Sequence, residues 1–359
     1  MKYALIGCGR VSTNHVRSAL ENGLDIIALC DVIPEHMEAI AARHNLPGAD
    51  KIRRYTSHRD LLANESPELV GIATESGCHA EIAVDCINAG CNVIIEKPIA
   101  MSLGDADRII AAMEAKGVKV SACHQNRFND AIQELQAALD AGRFGKLSHG
   151  SVNIRWMRDR AYYDQATWRG TWALDGGTLM NQCIHGIDLL RWVMGNDIDT
   201  VYGFTANRHH DYIEGEDIGV AVVRFKNGAV ATIEGTVNVY PKDMEETLCV
   251  FGETGTVKIG GTNVNKVENW DFADEHSGDE AARELHEASA NVYGNGHHAI
   301  YADTIDAIKN DRQPYVSAYD GRRALELVLA IYRSQKTGMP VKLPMDDFAT
   351  IEMAGVFGS

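Results

Sequence analysis

Long apolar runs are missing from this chain of 359 residues: none approaches the ~18 residues that a membrane-spanning helix requires. A signal peptide is not expected either, because the first residues enter a strand-like run at once and leave no room for one. The expectation is a cytoplasmic chain with no membrane partner. Paired cysteines are absent too. The eight cysteines, at positions 8, 30, 78, 86, 91, 123, 183 and 249, form no C-x-x-C pair and stand mostly in apolar surroundings. That distribution fits buried free thiols in a reducing compartment and offers no metal-ligand spacing. His209-His210 and His297-His298 are adjacent pairs whose side chains diverge, so no metal is expected. Positive charge is short: 34 lysines and arginines face 50 acids, for a formal net charge of −16. A general nucleic-acid binder carries the opposite balance, so no nucleic-acid partner is expected. An anionic small ligand stays open, since a local nest of N–H groups and arginines can outweigh distant surface charge.

At this length two domains can each bury a core, and 45% hydrophobic with 23% charged residues is ordinary for a soluble globular protein. In the first third, short strand-like runs (Ile26–Leu29, Leu69–Ala73, Asn92–Ile95, Val118–Ser121) alternate with helical patterns such as His79–Ala89 and Gly104–Lys116. That alternation implies βαβ units and a parallel sheet covered on both faces. After a helix at Asp130–Ala141 the rhythm changes to strand-like stretches at Ser148–Arg155, Thr200–Thr205, Ile218–Phe225, Ala229–Val237, Thr247–Phe251 and Gly255–Ile259. Asn227-Gly228 marks a hairpin turn between two of them. Strands following βα units indicate an α+β second domain on a mostly antiparallel sheet. The acidic stretch Glu268–Ala290 reads as a surface loop leading into a helix, and Gly321–Lys336 as a closing helix. No internal repeat, low-complexity tract or long linker interrupts this order.

Several stretches carry chemistry. The run Tyr3-Ala4-Leu5-Ile6, then Gly7-Cys8-Gly9, then a helical pattern from near Asn14, has the order of a dinucleotide-binding loop. The first glycine permits the tight turn, the second lets the backbone approach a pyrophosphate, and N–H groups at the helix start face its charge. The third glycine of the G-x-G-x-x-G pattern is missing: Ser12 stands there, small enough for close helix–strand packing. The same residues also suit a plain strand–helix turn without a ligand. Asp31 follows the second strand, where a carboxylate accepts from both ribose hydroxyls and repels a 2′-phosphate, favouring NAD over NADP. Otherwise it begins a turn before Ile33-Pro34. Lys97 stands where a strand of the parallel sheet ends, the side on which such folds bind ligands. Farther along, Asp175-Gly176-Gly177 turns into a helix from near Thr178, on which Asn181, His185 and Asp188 share a face. An amide, an imidazole and a carboxylate so aligned can bind a polyol and exchange a proton. Equally, His185 can be a core histidine packed with Leu179, Leu189 and Leu190. Arg155, Arg158, Arg160 and Arg169 suit diphosphate or carboxylate groups, or else a solvated face.

Together Gly7-x-Gly9, Asp31, Glu96-Lys97-Pro98 and the glycine turn leading to Asn181 and His185 resemble the glucose–fructose oxidoreductase / inositol dehydrogenase / rhizopine catabolism (Gfo/Idh/MocA) family, over nearly the whole chain. Within it the chain is most similar to the UDP-N-acetyl-2-amino-2-deoxyglucuronate 3-dehydrogenases. His124–Asn129, Trp168–Trp172, Met180–Gln182 and Tyr240–Lys242 carry that likeness, and the run from Phe251 to Gly261 adds to it. The resemblance implies an α/β fold: a Rossmann NAD-binding domain at 1–122, then an α+β domain with an open, mostly antiparallel sheet at 123–359. The second domain would bind substrate and form a homo-oligomer, a dimer or tetramer through its sheet. Lys97 and His185 match the family's catalytic lysine and histidine; Asn181, the third catalytic candidate, stands where many members have aspartate. Thr74-Glu75 replaces a frequent Thr-Pro. Implied NAD contacts are Gly7, Gly9, Arg10, Val11, Ser12, Asp31, Thr74, His79, Glu96, Lys97, Gln125, Trp168 and Arg169. Implied substrate contacts are Lys97, Arg155, Arg158, Arg160, Asn181 and His185. The implied reaction oxidises the 3-hydroxyl of a sugar or sugar nucleotide, with hydride passing to C4 of NAD. His185 would act as general base and the Lys97 ammonium would stabilise alkoxide charge, or the two roles are exchanged. A dehydrogenase of a free polyol or simple sugar, and a regulator that senses NAD or a sugar without turnover, are the other readings.

Overall fold

Short aliphatic strands separated by helices bury both of their faces only in a parallel sheet with helices above and below. The first part of the chain forms such a sheet in the computed structural model, which describes residues 1–46, 48, 50–286 and 296–357. Contacts divide the chain into two compact units, Met1–Cys123 with His297–Arg322, and His124–Gly296 with Arg323–Ser359. A single cut after residue 122 therefore does not describe the division, because 297–322 returns to the first unit.

In the first unit β1 (Lys2–Ile6), α1 (Ser12–Glu21), β2 (Asp25–Cys30), α2 (Pro34–Arg43), β3 (Arg53–Tyr55) and α3 (His58–Asn64) make one half of the winding. The other half is β4 (Leu69–Ile72), α4 (His79–Asn88), β5 (Asn92–Ile95), α5 (Leu103–Lys116) and β6 (Val120–Ala122). The strand order is β3-β2-β1-β4-β5-β6 and every neighbouring pair is parallel. The winding reverses direction between β1 and β4, and the carboxyl ends at such a switch point are where doubly wound sheets bind ligands. Local chemistry sets the helix ends. Ser102 caps α5 by accepting from the Asp105 N–H, and Gly117 ends it at φ 66°. The returning segment adds its own hydrogen bonds: the Ala122 N–H donates to Val316 O at 3.1 Å.

The second unit begins with α6 (Asp130–Asp140), β7 (Leu147–Arg155), α7 (Arg160–Tyr163), α8 (Thr178–Asn181) and α9 (Ile184–Met194). Strands β8 (Ile198–Ala206), β9 (Ile218–Phe225), β10 (Val230–Thr236), β11 (Glu245–Gly252), β12 (Gly255–Gly260) and β13 (Lys266–Phe272) follow. After α10 (Asp279–Arg283) the chain returns to the first unit with α11 (Gly296–Lys309); α12 (Ala318–Thr337) begins there and ends in the second unit, followed by β14 (Val341–Lys342). The sheet order is β13-β12-β11-β7-β10-β9-β8-β14, parallel at β10–β7 and antiparallel at the other pairs. Helices cover one face, where Leu179 packs on Gly219 and Gly235. The other face is open, and β9 presents Val220 and Val222 to it, 42% and 54% exposed.

One expectation is corrected here. The stretch Glu268–Ala290 is not a loop from its start: most of β13 lies in it, paired antiparallel to β12, and α10 follows. Trp270 is buried and donates from its indole N–H to Asp279 Oδ1 at 2.7 Å, which the Arg143 guanidinium also reaches at 2.6 Å. An acidic residue that looks solvated in the sequence is thus an anchor for the strand. The last part of the stretch, 287–290, lies outside the described residues.

Candidate active site

In the first unit the glycine turn is shaped by sterics. Gly7 adopts φ 92°, and a Cβ there would fall 2.5 Å from the Ala73 carbonyl, so only glycine fits. A Cβ on Gly9 would meet nothing within 4 Å, leaving space over the turn. Helix α1 starts without an acidic first turn and without a side-chain cap from Val11, which leaves the positive end of its dipole uncompensated by its own residues. Ser12 is buried and donates its hydroxyl to Gly9 O at 2.5 Å, while Arg10 is exposed. These features fit a dinucleotide pyrophosphate. Asp31 stands beside the same turn: Oδ2 accepts from the Cys8 N–H at 2.7 Å and Oδ1 from the Ile33 N–H at 2.9 Å. The bond to the Ile33 N–H is the turn before Ile33-Pro34 that the sequence also suggested for Asp31.

Lys97 follows β5 at the carboxyl edge of the sheet and is half-buried. His79 is buried between two carbonyls, Nδ1 at 2.7 Å from Pro98 O and Nε2 at 3.1 Å from Thr74 O. Burial pushes its pKa below the ordinary value. A neutral ring has a single N–H to give, so one of the two carbonyls accepts from His79 and the other only packs against it. Glu96, an implied NAD contact, turns its carboxylate into the interior of the unit. Its carboxylate is 6% exposed and receives two histidine rings, His15 and His297, from within the unit.

In the second unit Gly176 and Gly177 turn the chain at φ 81° and 89°. A Cβ on Gly177 would lie 2.0 Å from Glu216 Oε2, so the buried Glu216 fills the space a side chain would need. Glu216 Oε1 accepts from the Leu179 N–H and from the Tyr332 hydroxyl, both at 2.7 Å, and so pins the start of α8. Burial pushes this carboxyl up to about 8. Asn181, at the end of α8, donates its side-chain amide to Asp175. The expected single helix is broken after it: the Cys183 N–H donates to Thr178 O at 3.1 Å, five residues back, and α9 restarts at Ile184. His185 is 7% exposed, with Nε2 3.4 Å from Gln125 Nε2 and the His124 ring edge-on at 5.8 Å.

Asp188 is a correction. It does not present a carboxylate to a polyol; it is fully buried and accepts from Arg127 at 2.7 Å twice and from Arg191 at 2.6 Å. Burial alone would raise its pKa, but the Arg127, His124 and Arg191 charges hold it far below the usual carboxylate range. The arginines divide. Arg155 is engaged by Glu234 and Glu245, each within 2.5 Å. Arg160 is 69% exposed on its side chain, near Asp164 and over the Tyr212 ring. Arg158 and Arg169 both lie over the Tyr162 ring, at 5.3 Å and 4.3 Å, and Arg169 also over Trp168. Gln182 links them, accepting from Arg158 at 3.0 Å and donating to the Tyr162 hydroxyl at 2.8 Å.

Residues 1–124 match the oxidoreductase family's NAD-binding Rossmann fold, and residues 136–343 match that family's C-terminal alpha/beta domain. The chain belongs to the Gfo/Idh/MocA oxidoreductase family. It is an NAD-dependent dehydrogenase acting on a sugar hydroxyl group. The WlbA dehydrogenase from Bordetella pertussis, crystallised with NADH and UDP-GlcNAcA, is 36% identical, with a TM-score of 0.89 over 96% of this chain and 98% of that one. A D-apiose dehydrogenase from Paraburkholderia graminis is 27% identical, covering 95% of this chain and 89% of its own. A myo-inositol 2-dehydrogenase from Thermotoga maritima is 26% identical, covering 96% and 98%. Among the described residues of this oxidoreductase no helix is long and apolar enough to cross a membrane. Sequence reasoning missed His15, Tyr301, Glu216 and Tyr332 as parts of its site support. All are single residues, and no spacing signal marks them.

Proposed function

We propose that the chain oxidises the 3-hydroxyl of a nucleotide-linked uronic acid, UDP-N-acetyl-2-amino-2-deoxyglucuronate. The observation that carries this reading is the likeness to WlbA, which spans nearly the whole of both chains and was seen with UDP-GlcNAcA. The arginine arrangement is compatible with it. Arg158, which pairs with one carboxylate, Asp243, at 2.9 Å, and Arg169 are both held on Tyr162, and an arginine fork makes two charge-assisted bonds to a diphosphate or carboxylate. Arg155 is already matched by two carboxylates and leaves our assignment of ligand contacts, as does the largely solvated Arg160.

NAD, when bound, supplies the hydride acceptor; the residues of this chain bind, orient and handle one proton. Our assignment gives His185 the hydroxyl proton, with Gln125 fixing the ring orientation at 3.4 Å. Lys97, as an ammonium, hydrogen-bonds the same substrate oxygen and stabilises developing negative charge. Asn181, oriented by Asp175, offers its amide to a neighbouring sugar hydroxyl. A free-sugar reading is favoured by the D-apiose and inositol dehydrogenase relatives. The test is NADH formation with UDP-N-acetylglucosaminuronate, UDP-N-acetylglucosamine, D-apiose and myo-inositol at matched concentrations. Highest kcat/KM on the UDP-uronate supports the proposal; highest on a free sugar or polyol overturns it and leaves the family standing. We also propose that the open sheet face, with Phe204, Val222 and Val230 more than half exposed, packs on a second copy of the chain. Sedimentation of Val222→Glu as a smaller species than the parent is the expected result.

A further inference from the structure

Glu96 is a buried carboxylate one residue before Lys97, and the proposed reaction gives it no task. Its surroundings are nonetheless built around it. His15 of α1 places Nε2 3.0 Å from Glu96 Oε1, and His297 of α11 places Nε2 2.9 Å from the same oxygen. Glu96 Oε2 accepts from the Lys97 backbone N–H at 3.3 Å. His15 Nδ1 continues to the Tyr301 hydroxyl at 2.8 Å, which meets the Tyr3 hydroxyl at 2.6 Å. Burial and the Glu96 charge push the Cys123 thiol well above its ordinary value, and the Glu96 charge also acts on His79 and Tyr301. All of these residues belong to the first unit.

Three roles compete. A proton path would need an exit to water, but the chain Glu96–His15–Tyr301–Tyr3 ends on a residue that is 0% exposed. A metal centre is suggested by the ligand types: atoms of His15, Glu96, Cys123 and His297 lie within 4.8 Å of one another. Zinc bond lengths of about 2.0–2.3 Å in a tetrahedron put neighbouring ligand atoms about 3.3–3.8 Å apart. Both imidazole nitrogens instead sit at 2.9–3.0 Å from a single carboxylate oxygen, the distance of a charge-assisted hydrogen bond. The third role is a clamp. Two rings each give an N–H to one ionised oxygen, which is how an anion is kept in a protein interior without being neutralised. Burial lowers the His15 pKa and keeps that ring neutral. Burial would raise Glu96, but the His15 and His297 hydrogen bonds hold it well below the ordinary carboxylate range.

We propose that His15 and His297 clamp Glu96 as a buried anion that positions Lys97 and keeps it an ammonium during turnover. The proposal rests on the reading of Lys97 as a group of the reaction. It has two consequences. The loop bearing Lys97 is tied by one hydrogen bond to α1, the helix that follows the glycine turn, so the lysine keeps its place relative to that turn. The Glu96 and Lys97 charges act on the same two groups, His79 and Cys123, and an anion sharing that environment favours the protonated lysine, which makes Lys97 the donor and leaves the base role to His185.

The test replaces each histidine in two ways. Glutamine keeps an N–H donor near the Nε2 position; leucine fills the space without one. Glu96→Gln removes the charge at nearly constant shape, and Lys97→Ala is the reference. Steady-state kinetics across neutral and alkaline pH and NADH titration by fluorescence are measured on the full chain. His15→Leu and His297→Leu should lower kcat about 10–100-fold, as misplaced reacting groups do, with NADH affinity within about threefold. The glutamine variants should recover kcat to within about threefold of the parent. In Glu96→Gln the alkaline limb of kcat/KM should move down by about one pH unit as Lys97 loses its neighbouring anion. Leucine variants with parental kcat, or glutamine variants as impaired as leucine, overturn the clamp. Stoichiometric zinc whose chelation abolishes turnover overturns it in favour of a metal centre. Should Glu96→Gln fail to fold, the glutamine–leucine pairs at 15 and 297 still decide. Turnover that survives Lys97→Ala refutes the reading of Lys97 itself; turnover lost there but kept in the clamp variants refutes only the clamp.

Discussion

Glu246, on β11, is 1% exposed, and neither of its carboxyl oxygens has a hydrogen-bond partner among the described residues. A Cβ added to Gly186 would lie 3.0 Å from Glu246 Oε1, so the carboxyl packs under α9, one residue from His185. Burial alone acts on it and pushes its pKa from 4.5 up to about 8. A raised acid stays protonated in the folded chain while the unfolded chain ionises. Its contribution to stability is therefore full below the unfolded value and is lost as pH rises through the folded one. Integrated from about pH 5 to about pH 8, that loss is about 3–4 kcal/mol. Glu246→Gln cannot ionise and keeps the volume. Relative to the parent it should gain those ~3–4 kcal/mol between the two pH values, with little difference at the acidic one. Glu216, also pushed up to about 8, is present in both proteins and cancels in the comparison. Urea unfolding of both proteins at both pH values measures the gain. A stability difference that does not change with pH would refute the reasoning, because Glu246 would then ionise as freely folded as unfolded.

Asp188→Ala leaves Arg127 and Arg191 buried without their shared carboxylate and should cost about 3–5 kcal/mol in the same unfolding assay. A loss under about 1 kcal/mol would show that the arginines find other partners. NAD should bind more tightly than NADP, and Asp31→Ala should narrow the gap, since Asp31 repels a 2′-phosphate beside the glycine turn; tighter NADP binding by the parent contradicts the assignment. Lys97→Ala and His185→Ala should each lower kcat by about a hundredfold or more with NAD binding retained. Near-normal turnover in His185→Ala would make it a core histidine.

The parallel half of the fold was legible because its strands are buried on both faces and its helices carry punctuation. Asn92–Ile95 is a strand with the bounds its aliphatic run suggests, and α5 ends where Gly117 stands. Strand β3 was not legible: three residues, two of them arginines, carry no pattern, and only pairing with β2 makes them a strand. In β13 the signal was scrambled by a bulge. Lys258 faces Asn269 and Ile259 faces Val267, so Glu268 is the extra residue, and the inward Val267 and Trp270 stand three apart rather than two. The break between α8 and α9 is likewise hidden, because a widened turn at Cys183 changes which residues share a face without changing the sequence of apolar positions.

The site divides along the same line. The glycine turn, Asp31 and the Lys-Pro pair are local signals, each written in a few consecutive residues. The Glu96 clamp is not, since His15 and His297 lie 81 and 201 positions away from it. Adjacent histidines were expected to diverge, and they do: His297 is buried while its neighbour His298 contacts Glu21 at the surface. Divergence argued against a local metal pair but said nothing about where the inward ring points. The arginines make the point most sharply, because Arg155 and Arg158 are three residues apart and equivalent in composition. Arg155 sits opposite Glu245 in the β7–β11 register and diagonal to Glu234 in the β7–β10 register, so two cross-strand carboxylates take its charge. Arg158 lies past the end of β7, beyond that ladder; it rests on Trp156 and Tyr162 and pairs with a single carboxylate, Asp243, at 2.9 Å. Strand register thus sets how far an arginine is neutralised: Arg155 inside the ladder meets two carboxylates, and Arg158 beyond it meets one and keeps an aromatic face.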